Sequence, residues 1–124
     1  MPNNQNGFSN LSVEKNIPLL VDQMDADGLF QEDVDPTNFD GLAVLRKQIK
    51  RTVLYWLDYD LEMLYNVLYR LDVGEQKVRN CLDHAQPTEL ADDLTELILE
   101  REQQKLYTRL KYKEEVDKDD PEAW

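Results

Sequence analysis

Between Leu42 and Asp72 the chain contains no Gly or Pro, and apolar residues recur at Leu42, Leu45, Ile49, Val53 and Trp56 or Leu57. The series continues through Leu61, Leu64, Leu68 and Leu71. Steps of three and four return side chains to one stripe of a helix, because each residue turns the chain by about 100°. The opposite face carries Lys47, Gln48, Lys50 and Arg51, then Glu62, Asn66 and Arg70. The pattern therefore predicts helix and names its buried side. Asp58-Tyr59-Asp60 interrupts the middle, and aspartate is a poor interior helix former but a good N-cap. One continuous helix and two shorter ones both fit the stripe; the aspartates favour a break or sharp kink near Asp58.

Flanking signals divide the rest. Asp35-Pro36-Thr37-Asn38-Phe39-Asp40 reads as a helix start, through an Asp35 cap with Pro36 in the first turn or a Thr37–Asp40 capping box. Asp72 stands three residues before Glu75, which predicts a capping box opening a third helical segment with Val78, Cys81, Leu82 and Ala85 on its apolar side. Pro87 ends that segment by disfavouring helical geometry in Gln86. Pro87-Thr88-Glu89 opens a last helix, acidic at its start and basic near Lys105, Arg109, Lys111 and Lys113, in accord with the helix dipole. The expected fold is all-α: a small antiparallel bundle of three to four helices over residues 36–113. An irregular N-terminal arm (1–35) precedes it, and a charged flexible tail (114–124) follows. In the arm, Pro18 pushes Ile17 toward extended geometry, and Leu29 and Phe30 dock an otherwise solvated acidic loop.

The last helix has apolar side chains on two sides. Leu90, Leu94, Leu97 and Ile98 form one stripe; Leu99, Leu106 and Leu110 lie nearly opposite. Two apolar sides need two covers. A second copy of the chain would cover the Leu99, Leu106 and Leu110 side as a twofold dimer, which the small size of the core favours. The competing cover is the N-terminal arm, folding back through Leu19, Leu20, Leu29 and Phe30. Arg101 falls on the first stripe and must find acceptors. An inter-helix ion pair with Asp72, Asp58 or Asp60 is expected in preference to an anion-binding site.

Charge narrows the function. The 124 residues hold 26 Asp and Glu against 14 Lys and Arg, a formal net charge of −12. Nucleic acids and anionic membranes would repel such a chain. The basic group Arg46, Lys47, Lys50 and Arg51 reads as a solvated helix face. Residues Met1 to Asn10 lack the basic and apolar regions of a signal peptide, and no apolar run is long enough to span a bilayer. With a single cysteine, Cys81, no internal disulfide forms, and the expected compartment is the cytoplasm.

Candidate chemistry is sparse. Asp25-Ala26-Asp27-Gly28 resembles part of a calcium loop, but with Gly28 at the sixth position Gln23 and Val34 occupy positions that need carboxylates. Cys81 and the only histidine, His84, are neighbours at i, i+3. They form at most half a metal site, and Cys81 is expected to pack unreactive in the core. No Glu-x-x-His motif, Gly-rich phosphate loop or nucleophile elbow occurs. No catalytic, cofactor, metal or small-molecule site is expected. The expected function is a non-catalytic protein that binds another protein or itself. The alternatives are an acidic nucleic-acid mimic that blocks a basic partner, and a small metal or thiol protein using Cys81 and His84.

Two stretches carry a resemblance. Leu68-Tyr69-Arg70-Leu71-Asp72-Val73, followed by the Glu100-Arg101 and Lys105 pattern of the last helix, resembles a set of short, uncharacterised bacterial helical proteins over roughly the last half of the chain. The resemblance implies a helical fold and no particular activity.

Overall fold

The computed structural model describes residues 13–30, 41–84 and 86–119; within these, nothing is said of the side chains of Val13, Glu14, His84, Pro87, Thr88 and residues 116–119. The described residues form a short 3-10 turn (Val13–Asn16) and five α-helices, with no strand. The helices are α1 (Ile17–Ala26), α2 (Leu42–Tyr59), α3 (Leu61–Arg70), α4 (Glu75–His84) and α5 (Pro87–Asp119). The last is the hub: α1, α2, α4 and the 3-10 turn all pack on it, while α3 packs on α2.

The stripe read from the sequence is the core of α2 and α3. Leu45, Ile49 and Val53 are wholly buried, Trp56 nearly so, and Leu64, Leu68 and Leu71 continue the series, joined by Val67. Leu61, expected on the stripe, is 44% exposed at the first turn of α3, and Leu42 and Leu57 are part-buried. The break is real and falls two residues later than Asp58. Asp60 closes α2, its amide donating to the Trp56 carbonyl at 2.9 Å, and opens α3 by accepting from the Met63 amide at 3.2 Å. A short side chain that receives an orphan amide at the start of one helix is worth more there than inside a continuous one. The expected helix start at residues 35–40 lies outside the described residues; Gly41 stands at the N-cap of α2 with no side-chain cap bond.

Ile17–Ala26 is helix, not the irregular arm expected of residues 1–35. Pro18 sits in the first turn, where its missing N–H would have had no intrahelical acceptor anyway. Ile17, Leu20, Val21 and Met24 then make a helical stripe, buried to 5% exposure or less. Packing of that stripe overrides the extended bias before proline. The helix stops at the Asp25-Ala26-Asp27-Gly28 string that mimics a calcium loop. Gly28 takes a positive φ of 83°, its amide donates to the Asp25 carbonyl, and the Leu29 amide donates to the Met24 carbonyl, each at 3.0 Å. This is a Schellman stop, completed by the buried apolar pair Met24 and Leu29.

The same motif ends α3, with Asp72 in glycine's place at φ 59°. The Asp72 amide donates to the Tyr69 carbonyl at 3.0 Å and the Val73 amide to the Leu68 carbonyl at 3.2 Å. Asp72 is thus a C-terminal residue of α3 and not the cap of α4. Gly74 precedes α4, its carbonyl accepting the Val78 amide at 3.1 Å. Glu75 is the first residue of α4 and faces Arg79 at 3.8 Å. In place of the expected capping box the chain turns at Asp72, with Leu71 buried and Val73 part-buried against the core.

Pro87 opens α5 as expected, and Glu89 reaches back to accept from the Gln86 amide at 3.3 Å. The helix runs 33 residues, to Asp119, so the tail expected to be flexible from residue 114 is helical that far. Lys111 and Glu115, at i, i+4 and 3.5 Å, support it. Between α2 and α5, Lys50 pairs with Asp92 at 2.7 Å and Arg46 pairs with Glu96. These half-exposed pairs fix register more than they stabilise.

Candidate interaction surface

Both apolar sides of α5 are covered within one chain. Leu94 and Ile98 are wholly buried, and so are Leu99 and Leu106 on the opposite side; Leu110 is half-buried. Leu99 and Leu106 share their side with Glu102, three residues after one and four before the other. Gln23 of α1 reaches Glu102 there. The N-terminal segment, with Leu20, Leu29 and Phe30 buried and Leu19 left 42% exposed, is therefore the cover. Leu99 and Leu106 do not offer the free interface that the sequence assigned to them.

That contact contains a polar group which sequence reasoning missed. Gln23 Nε2 donates to the Glu102 backbone carbonyl at 2.8 Å and to its Oε1 at 2.5 Å. Arg109 donates to Gln23 Oε1 at 2.7 Å, and Lys105 Nζ lies 2.9 Å from Asp27 Oδ2. Glu102 has no exposed surface, and no protein donor reaches its Oε2; when protonated, the carboxyl hydrogen-bonds to the neighbouring Asp27 carboxylate. Burial, reinforced by the neighbouring Asp27 carboxylate, pushes the Glu102 pKa up to about 8, against the opposing pull of Gln23 and Lys105. Burial also works to raise Asp27, but Glu102, Lys105 and Arg70 together outweigh it and lower the Asp27 pKa. The available signal was a carboxylate set between Leu99 and Leu106 on an apolar stripe.

The other expected site residues separate. Arg101 Nε donates to the Leu71 carbonyl at 2.8 Å, where an ion pair with Asp72, Asp58 or Asp60 was expected. Leu71 is the C-cap of α3, so the guanidinium meets the negative end of that helix and joins it to α5. Cys81 is half-buried, not fully buried, and Leu82 beside it is 42% exposed. Burial, then the charge of Asp93, pushes the Cys81 thiol pKa up. The His84 side chain is outside the description. Among the described residues no three His, Cys, Asp or Glu side chains gather to hold a metal, and no helix is long and apolar enough to cross a membrane.

Among the described residues the most exposed large apolar side chains are tyrosines, with Tyr69, Tyr59 and Tyr112 more exposed than any aliphatic one. On α3 Leu61, Tyr65 and Tyr69, at steps of four, are 44%, 45% and 86% exposed along the edge of the stripe that buries Leu64, Val67 and Leu68. Met63 is exposed as well. At the end of α2, Tyr55 and Tyr59 stack in a tilted pair, ring centroids 5.1 Å apart, with Tyr59 76% exposed. Beside Tyr65 and Tyr69 an open groove of about 370 Å³ is floored by Leu68, Val73 and Val78 and edged by Asn66 and Glu75. Asp58, Asp60 and Glu62, which fall between Tyr55 and Tyr65 in the sequence, are exposed. The i+4 spacing of Tyr55 with Tyr59, and of Tyr65 with Tyr69, was the sequence signal; the outer face had been read only for its charges. The chain matches no family model, and comparison with curated proteins and with solved structures finds no match.

Proposed function

We propose that the protein is a non-catalytic binding module that engages another protein through the tyrosine face of α2 and α3. The observation that carries this reading is the exposure of Tyr59, Tyr65 and Tyr69 together with Leu61. Tyrosine supplies large contact area with few rotatable bonds and a hydroxyl that tolerates water, which is why it is enriched where proteins meet. Carboxylates interleaved with the rings, on a chain of net charge −12, favour a partner whose contacting surface is cationic. Arginine would stack on the rings and pair with Asp58, Asp60 or Glu62.

On this reading the scaffold is a small antiparallel helical bundle. The crossed order of Arg46 with Glu96 and Lys50 with Asp92 supports opposite directions for α2 and α5. The resemblance to short bacterial helical proteins stays part of the proposal and adds no activity to it.

Cross-linking in cells followed by capture of the wild type, a Tyr65→Ala, Tyr69→Ala double variant and a Tyr112→Ala control tests the face. A partner retained by wild type and control but lost from the double variant, with its cross-links on α2 and α3, supports the proposal. Cross-links distributed evenly over the acidic surface, unaffected by the double variant and abolished by modest salt, would instead favour the mimic of nucleic acid. Light scattering on the same proteins separates self-association from binding of a different chain.

A further inference from the structure

The Gln23–Glu102 contact has a property that the tyrosine face does not share: it encloses a carboxyl group with no exposed surface. We infer that α1 is a proton-dependent latch, which holds the Leu99–Leu106 side of α5 closed while Glu102 carries a proton and loosens as Glu102 ionises. The burial and contacts of Glu102 supply the coupling. Glu102 is wholly enclosed between α1 and α5, one oxygen takes the Gln23 amide, and the other has no donor. An ionised carboxylate there would hold its charge without solvent and beside a second carboxylate, Asp27.

The surrounding charges do not neutralise it. Lys105, on the same helix, is committed to Asp27 at 2.9 Å. Arg109 is spent on Gln23 Oε1, and Arg70 of α3 donates to the Asp27 backbone carbonyl at 3.3 Å. From the other elements packed on α5, Arg46 and Lys50 of α2 are paired with Glu96 and Asp92, nearer its N-terminus, and Lys77 of α4 lies toward Glu100. Lys15 of the 3-10 turn is exposed. When α1 lifts, Glu102 meets water and becomes an ordinary carboxyl, with its pKa back near 4.5.

The sign follows from linkage. Glu102 has a raised pKa in the closed state, about 8 against 4.5, so the closed state holds the extra proton between those values. Closure is then fully supported below about pH 4.5, weakens roughly tenfold in its equilibrium constant per pH unit from there to about 8, and changes no further above. Asp27 acts in the opposite sense, because its lowered pKa withdraws support only below the ordinary 3.8.

Amide hydrogen exchange of the full chain between pH 5 and 9 tests the latch, each rate being divided by its intrinsic rate to give an opening constant. For Leu20, Val21 and Met24 that constant should rise by roughly tenfold per pH unit up to about pH 8 and then level. The amides of Ile49, Val53 and Ile98 should show smaller opening constants than those of α1 at every pH, since they exchange only through a larger opening than the lifting of α1. Glu102→Gln keeps the shape and the Oε1 acceptor but cannot ionise, and should flatten the α1 profile. Asp27→Asn removes the neighbouring carboxylate and should bring the plateau to lower pH, which keeps the test decisive should the Glu102 variant not fold. A pH slope that survives Glu102→Gln, or α1 opening that follows the α2 and α5 core amides at every pH, would overturn the latch.

Discussion

Replacing Asp72 with Gly should make the protein more stable, although the substitution removes a side chain and adds backbone freedom. Asp72 holds φ 59° at the stop of α3, in the position that Gly28 fills at the stop of α1. A left-handed backbone costs an L-residue about 1–2 kcal/mol, with Asp at the lower end because its short polar side chain tolerates the region. A carboxylate two residues beyond α3 also stands at the negative end of that helix, unfavourable by about 0.3–1 kcal/mol. Against these, Gly gains about 0.5–1 kcal/mol of unfolded-state freedom. The balance is a net stabilisation of about 0.5–1 kcal/mol. The N-cap role read from the Asp72–Glu75 spacing gives the opposite sign, since Gly at an N-cap costs a few tenths of a kcal/mol relative to Asp. Asp72→Asn sharpens the contrast: Asn and Asp are equal as N-caps, whereas at this stop Asn removes the charge and better tolerates positive φ. Urea unfolding followed by circular dichroism, with the slope m unchanged, should show the midpoint rising by about 0.3–0.5 M for Asp72→Gly. A midpoint that falls for Gly and is unmoved for Asn would refute the Schellman assignment.

Other outcomes follow from the packing. Gly28→Ala should destabilise by about 1 kcal/mol or more, because φ is 83° there and the cost is backbone strain, readable in the same urea experiment. Leu106→Ala should cost about 2–5 kcal/mol at every protein concentration, since its cover comes from the same chain; a loss that varies with concentration would restore a dimer interface at that position. Asp60→Ala should cost about 0.5–2 kcal/mol through the lost α3 cap, and a stability equal to wild type would show the Met63 contact to be idle. Cys81 should react slowly with thiol reagents at pH 7 and faster as pH rises, because its pKa is raised and the thiolate is the reactive form; rapid labelling at pH 7 would contradict this.

The parts legible in the sequence were those that periodicity alone decides. Leu45, Ile49, Val53 and Trp56 form a long window, and their burial follows from helical spacing with nothing else needed. The Asp58-Tyr59-Asp60 break was visible as a break but not as a residue, because either aspartate can cap and only the path of the chain selects the Met63 amide. Asp72 misled for a related reason: an Asp three residues before a Glu is consistent both with a helix start and with the end of the preceding helix. The choice rests on where Val73 is pulled, a tertiary fact. Ile17–Ala26 was hidden by its shortness and by Pro18, whose local bias is real and is overcome only by contact with α5. The polar group around Glu102 joins residues 79 apart in sequence, beyond any local pattern. Only the carboxylate's place between Leu99 and Leu106 pointed toward it.

That separation has a consequence for how the chain is made. Leu20, Val21 and Met24 belong to a helix translated early, while the surface that covers them, including Leu99 and Leu106, is translated late. At bacterial or eukaryotic elongation rates of about 5–20 residues per second, the apolar stripe of α1 waits for roughly 4–16 seconds before its partner exists. An isolated helix as short as α1 is marginal in water, so the segment spends that interval largely unstructured. Pairing of α2 with α3 needs only nearby residues and can be complete by then. Seating of the first helix is therefore among the last folding steps, and a chain truncated before Leu99 would lack both the apolar side of α5 and the Glu102 partner of Gln23.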